Sequence, residues 1–232
     1  MIPMAICPNV GLRMRPVPLT ITILLAAALF FGCAHEEDAI RPAQELFDEG
    51  ARLAAKGDVE KASDTFMQVR TYYPGHDLAR KALLATGDLY YDEEDYPSAL
   101  KSYQEFRLLY PTDPDAGYGL FRIGMCHYRQ MGTFDRDQSQ TIKAIQSFDA
   151  FLKTYPGSPH TEEAARYRNE ARTQLARHNV YIGRFYLRKG NTAAACARFA
   201  AVKAQYPDAE LGEDIDALIL EACSSGTDAP RE

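Results

Sequence analysis

The stretch GDLYYDEEDYPSALKSYQEFRLLYP, residues 87–111, holds the pattern that decides the fold. Gly87 is followed after twelve residues by Ala99, and four residues later by Tyr103. Tyr110-Pro111 then closes the stretch, with the proline eight residues beyond Tyr103. The same register recurs at Ala62/Phe66/Tyr73-Pro74, Ala144/Phe148/Tyr155-Pro156 and Ala195/Phe199/Tyr206-Pro207. Gly50 and Gly183 stand twelve residues before their alanines. In the third unit Gly132 holds that place, but Gly124 fits the helix better and implies eight inserted residues. A proline stops a helix and turns the chain, and a small residue one turn before an aromatic suits two closely packed helices. The register predicts an all-α chain of about four helical hairpins, none able to bury its apolar faces alone, each stacked on its neighbours.

Working outward, the first pair joins residues 42–56 to 59–72, turning at Gly57-Asp58, with Asp58 as the cap of the second helix. The second joins 78–91 to 97–109 across the acidic turn Asp92-Glu93-Glu94-Asp95, and Tyr96-Pro97 opens a helix rather than closing one. The third runs from Asp113-Pro114 to about Met131 and returns over 141–154, with the insertion Gly132–Gln140 between. A helix starting at Ser158-Pro159 finds no stop before Gly190, giving a spine of ~45 Å that joins two halves. The last helix, 211–223, carries Leu211, Ile215, Leu218, Ile219 and Ala222 on one face and reads as a cap. The domain reading is therefore a solenoid over 42–223, with a polar, disordered tail at 224–232.

The first 32 residues read as a targeting signal. Arg13 and Arg15 precede an apolar run over 17–31, too short to span a bilayer, which ends in Phe30-Phe31-Gly32-Cys33. This end resembles a lipoprotein signal, in which the Cys33 thiol takes a diacylglycerol and becomes the mature N-terminus. The other reading is an ordinary secretory signal with an incidental cysteine. Either Met1 or Met14 serves as the start. Ala34 after the cysteine points to sorting to the outer membrane. Residues 33–41 then form a lipidated tether reaching ~28 Å at most, which holds the folded part near the membrane.

Removing residues 1–32 leaves 24 basic against 32 acidic side chains, a net charge of about −8, which disfavours nucleic acid as a partner. Cys126, Cys196 and Cys223 show no metal-ligand spacing. Cys126 and Cys196 suit small core positions, and a Cys196–Cys223 disulfide between antiparallel helices is the alternative for the latter two. His35, His76, His127, His160 and His178 are scattered, no phosphate-binding glycine loop or Gly-x-Ser-x-Gly occurs, and Asp92–Asp95 lacks the length of a calcium loop. No enzyme, cofactor or metal site is indicated; the covalent lipid on Cys33 is the sole attached group expected.

Together these features resemble the BamD family, tetratricopeptide-repeat (TPR) lipoproteins of the outer-membrane β-barrel assembly machinery. The carriers are the signal at Cys33, the Tyr-Pro-closed hairpins, the insertion Asp135-Arg136-Asp137-Gln138, the run Phe148 to Tyr155-Pro156-Gly157-Ser158, and the long helix through Tyr186 to Gly190. The resemblance implies a TPR superhelix on the periplasmic face of the outer membrane, with no catalytic role. It further implies binding of BamA-type periplasmic domains by the C-terminal half, other assembly lipoproteins as neighbours, and recognition of the C-terminal segments of unfolded outer-membrane proteins by the N-terminal half. Family members commonly carry a further helix pair beyond the point matching Cys223. A rival role is a TPR pilotin for a secretin, or a cell-envelope coordination scaffold.

In such hairpins the first helix of each pair lines a concave groove. Projecting the register places Phe47, Tyr91, Tyr118, Phe121, Met125 and Tyr128 there, with Lys81 among them and Arg52 and Arg129 one position beyond. Aromatic walls with a few cations suit a peptide ending in an aromatic residue and a carboxylate. In the fourth pair the same face is basic, with Arg177 and Arg184 and with Arg188 beside them; Arg198 lies next to Phe199. These four arginines are the candidates for a BamA-type partner.

Overall fold

The computed structural model describes residues 40–224. The signal, Cys33, most of the tether and residues 225–232 lie outside them. Among the described residues the chain forms nine helices and no strand: α1 (Ala43–Ala55), α2 (Val59–Tyr72), α3 (Asp77–Asp92), α4 (Tyr96–Leu109), α5 (Ala116–Arg129), α6 (Ser139–Thr154), α7 (Thr161–Arg188), α8 (Thr192–Gln205) and α9 (Ile215–Ser224). Each helix packs chiefly on the next in sequence, so the array is the expected TPR solenoid of four pairs and a cap.

The repeated residues explain the pairing. Ala62, Ala99, Ala144 and Ala195 have no exposed surface, and Phe66, Tyr103, Phe148 and Phe199 are buried with them. Each aromatic ring lies against the glycine of its own pair: Phe66 on Gly50, Tyr103 on Gly87, Phe148 on Gly124 and Phe199 on Gly183. Gly124, not Gly132, is thus the third glycine, and eight residues are inserted after it. The alanine–aromatic spacing alone suggests that the ring fills the gap to the next pair. The rings do reach the next pair, Phe66 clustering with Leu78 and Ala82 and Tyr103 with Ile123 and Cys126, and within their own pair the missing Cβ lets each ring seat on helix backbone.

Three of the four pairs turn identically. Asp58, Asp95 and Asn191 donate their backbone N–H to Leu53, Tyr90 and Tyr186 at 2.9–3.0 Å. The residue before each, Gly57, Glu94 and Gly190, has φ of 75°, 61° and 75°. The three side chains then cap the following helix, accepting from Lys61 N (3.4 Å), Ser98 N (3.2 Å) and Ala194 N (3.1 Å).

Some boundaries differ from the sequence reading. Asp113-Pro114 and Ser158-Pro159 do not open helices but form a turn just before them. Asp113 Oδ1 accepts from Asp115 N (2.8 Å), and Ser158 Oγ accepts from His160 N (3.3 Å), so α5 begins at Ala116 and α7 at Thr161. The last helix begins at Ile215, not Leu211, because Gly212 has φ 73° and Asp214 Oδ1 caps the amides of Asp216 and Ala217. Ser224 closes that helix rather than opening a tail. Cys196 on α8 and Cys223 on α9 are joined in a disulfide, while Cys126 is buried and free. The bond ties α9 to α8.

Candidate binding surfaces

On α3 and α5 a polar cluster gathers part of the expected groove. The Arg122 guanidinium lies 3.7 Å above the Tyr91 ring and 5.6 Å from the rings of Tyr103 and Tyr118. Asp88 Oδ1 accepts from Tyr103 Oη and Tyr118 Oη, both at 2.6 Å, and lies 3.3 Å from Arg122. Burial, reinforced by Asp88, raises both phenols above their ordinary range, so each stays a donor. Arg129 Nε donates to Tyr91 Oη (3.2 Å), so Arg122 covers the Tyr91 ring while Arg129 holds its hydroxyl.

The other expected groove residues divide. Tyr128 is half-buried, donates to Glu170 and packs 4.6 Å from Tyr167; burial first, then Glu170, pushes its phenol up to about 12. Phe47 is half-buried against Phe66 at 5.5 Å. Lys81 is exposed, as is Arg52, which pairs with Glu49. Phe121 and Met125, each 4% exposed, belong to the core and not to a groove wall. Phe121 stacks on His160 at 4.6 Å and meets Phe151 at 5.8 Å. The physical reason is that α5 lies between α4, α6 and α7, so that Phe121 and Met125 are covered while Tyr118, Arg122, Tyr128 and Arg129 are not fully buried. Arg122 and Asp88 were not among the residues expected from sequence. Their signal was local: Asp88 follows the register glycine Gly87, and Arg122 lies one turn after Tyr118 on the same helix.

The insertion is not a loose loop. Gln138, 5% exposed, donates through Nε2 to the carbonyls of Thr133 and Arg136 at 2.9 Å and accepts from Thr141 Oγ1 at 2.9 Å. Asp137 accepts from the amide and hydroxyl of Ser139, entering α6, and Asp135 accepts from Thr133 Oγ1. The loop docks on α7: Gln174 donates to the Gly132 carbonyl, His178 Nδ1 lies 2.6 Å from the Phe134 carbonyl, and Phe134 meets Tyr181 edge-on at 5.9 Å. Of Asp135-Arg136-Asp137-Gln138, three side chains therefore build the loop, and Arg136 is exposed.

Beside it lies a cleft of 470 Å³ between the insertion, α7 and the segment before α9, lined by Phe134, Val180, Tyr181 and Leu211 with Arg177 and Arg184. Arg177 donates to the Glu210 carbonyl (2.9 Å), and Arg184 pairs with Glu213. Arg188 is exposed near the end of α7, and Arg198 on α8 is half-buried, donating to Asn179 Oδ1 (2.9 Å). The four arginines thus fall on both α7 and α8, and at least three already hold partners within the chain.

A family model described as "YfiO: Outer membrane lipoprotein" matches residues 40–224, the whole described fold. The chain belongs to this family. Relatives of the chain include the outer membrane protein assembly factor BamD of Caulobacter vibrioides, 32% identical over 197 residues, covering 81% of this chain and 63% of that one. BamD of Pasteurella multocida is 27% identical, covering 90% and 85%, and BamD of Vibrio cholerae is 27% identical, covering 88% and 89%. The chain thus spans less than two thirds of the Caulobacter relative's length but most of the other two. Among the described residues of this YfiO-family chain, no helix is long and apolar enough to cross a membrane.

Proposed function

We propose that the chain is a scaffold in the assembly of outer-membrane β-barrel proteins, anchored by a lipid on Cys33 at the periplasmic face of the outer membrane. The observation that carries this reading is the match of all the described residues to a family, with relatives named as outer-membrane assembly factors. In this reading the C-terminal half, with Arg177, Arg184, Arg188 and Arg198, receives an acidic face of a BamA-type partner. The N-terminal half receives an extended C-terminal segment of an unfolded barrel protein at Tyr91, Tyr118 and Arg129. The cation-flanked Tyr91 ring supports that role, since it offers an aromatic face and a nearby positive charge to a peptide ending in an aromatic residue and a carboxylate.

The two surfaces are separable by mutation. Arg184→Glu with Arg188→Glu is expected to weaken capture of the BamA-type partner and leave binding of a barrel protein's C-terminal peptide intact. Tyr91→Ala with Arg129→Ala is expected to do the reverse. Unchanged binding in both variants would remove the two-surface reading. Cys33→Ser is expected to release the protein from the outer membrane, and retention of that variant would remove the anchor.

A further inference from the structure

Because paired helices run antiparallel, the start of each first helix and the end of each second helix lie at one edge of the solenoid. At that edge Tyr73 Oη donates to the Arg41 carbonyl at 2.9 Å, which ties the beginning of the fold to the end of α2. Arg70 near the end of α2 pairs with Glu105 on α4, and Arg80 near the start of α3 pairs with Asp113 just after α4 (2.6 Å). The ends of α2 and α4 are therefore neighbours, and Glu105 and Asp113, two acids of this edge, are neutralised there.

Three large apolar side chains stand exposed at this place: Leu108 at 79%, Leu109 at 53% and Tyr72 at 49%. Tyr72 and Leu109 occupy the same repeat position, one residue before the closing tyrosine. In the third and fourth pairs that position holds Thr154 and Gln205. The position before it holds Leu108 in the second pair but Lys153 in the third. Thr71 and Ala204 hold it in the first and fourth, so large apolar side chains at these two positions occur only in the first two pairs, nearest the point where the chain leads back to Cys33. From Arg41 to Cys33 is eight residues, a contour of at most ~28 Å.

The geometry points to a lipid-facing edge: the ends of α2 and α4, through Tyr72, Leu108 and Leu109, rest in the headgroup region of the membrane that carries the anchor. This rests on the lipidation of Cys33 proposed above. Tyrosine and leucine at a helix end suit that depth, where an apolar body meets lipid and a hydroxyl stays wet. A single lipid-modified terminus would leave the solenoid free to swing; a second, apolar contact on the same edge fixes which side faces the membrane. The opposite edge, where each pair turns, then faces the periplasm.

The chain contains no tryptophan, so one introduced indole reports alone. The lipidated full-length protein carrying Leu108→Trp is reconstituted into phosphatidylethanolamine–phosphatidylglycerol vesicles with brominated acyl chains. Ile142→Trp, near the start of α6 at the opposite edge and 42% exposed in the parent, is the comparison. Blue-shifted emission and quenching at position 108, with neither at 142, are the expected result. Vesicle-bound protein in which both positions are equally unquenched would overturn the edge contact and leave the anchor standing. Protein that fails to float with vesicles at all would overturn the anchor, and the edge contact with it.

Discussion

The ring of Tyr103 lies on the backbone of Gly87 so closely that a Cβ there would stand 2.7 Å from Tyr103 Cε1. Gly50 stands in the same relation to Phe66 at 2.7 Å, Gly124 to Phe148 at 2.6 Å, and Gly183 is closer still to Phe199. These rings are almost wholly buried and cannot swing aside. Gly87→Ala is therefore expected to cost about 1–3 kcal/mol through overpacking. Gly75→Ala, with open space around it, is expected to change little. Urea denaturation of the two variants checks this, and equal midpoints would contradict it.

Glu94 takes a left-handed backbone, φ 61°, where the equivalent residues of the first and fourth pairs are Gly57 and Gly190. An L side chain there carries a steric penalty that glycine lacks. Glu94→Gly is expected to stabilise the protein by up to about 1 kcal/mol, the gain in the native state being partly offset by a looser unfolded chain. A measured loss would show that the Glu94 side chain holds the turn in some other way.

His127 is buried on α5, with Nδ1 2.8 Å from Gln140 Oε1. Burial, with a smaller contribution from Lys143 and against the Gln140 bond, holds its pKa below the ordinary 6.5. The unfolded chain therefore takes up this proton first as pH falls. The stability that His127 contributes is complete above about pH 6.5 and declines as pH drops towards its lower folded value. Melting temperatures of the parent and of His127→Gln between pH 7.5 and 5 test this. The variant is expected to show the shallower decline, and parallel curves would contradict it.

The Cys196–Cys223 bond closes a loop across 27 residues and holds α9 on Val202, Phe199 and their neighbours. Cys196→Ser with Cys223→Ser is expected to cost about 2–4 kcal/mol, within the range for loops of this size. Hydrogen exchange is expected to rise first in α9. Loss of protection spread evenly over α1 to α9 would speak against a local staple.

Much of the fold was legible because each pair repeats one contact. The alanine, aromatic and Tyr-Pro positions fix where helices approach and stop in all four pairs, and the glycine keeps its place in three, with Gly124 set back by the eight-residue insertion in the third. Helix starts at Asp113-Pro114 and Ser158-Pro159 were less legible, because an acid or serine before proline suits a cap and a turn equally. The surfaces were the least legible. A helical register says which face a residue shares but not what covers it, and α5 lies between α4, α6 and α7. Phe121 and Met125 therefore vanish into the core, while Arg122 and Asp88, inconspicuous in sequence, organise Tyr91, Tyr103 and Tyr118. The insertion's spacing gave its length but not its anchor: Gln138 is buried while residues 132–137 around it are exposed.

The role in barrel assembly is tested most directly by affinity capture of the tagged, membrane-anchored protein from solubilised native membranes, with partners identified by mass spectrometry. Recovery of a BamA-type barrel protein, lost on Arg184→Glu with Arg188→Glu, is the predicted result. Recovery of a secretin or a cell-wall enzyme without any BamA-type protein would contradict it.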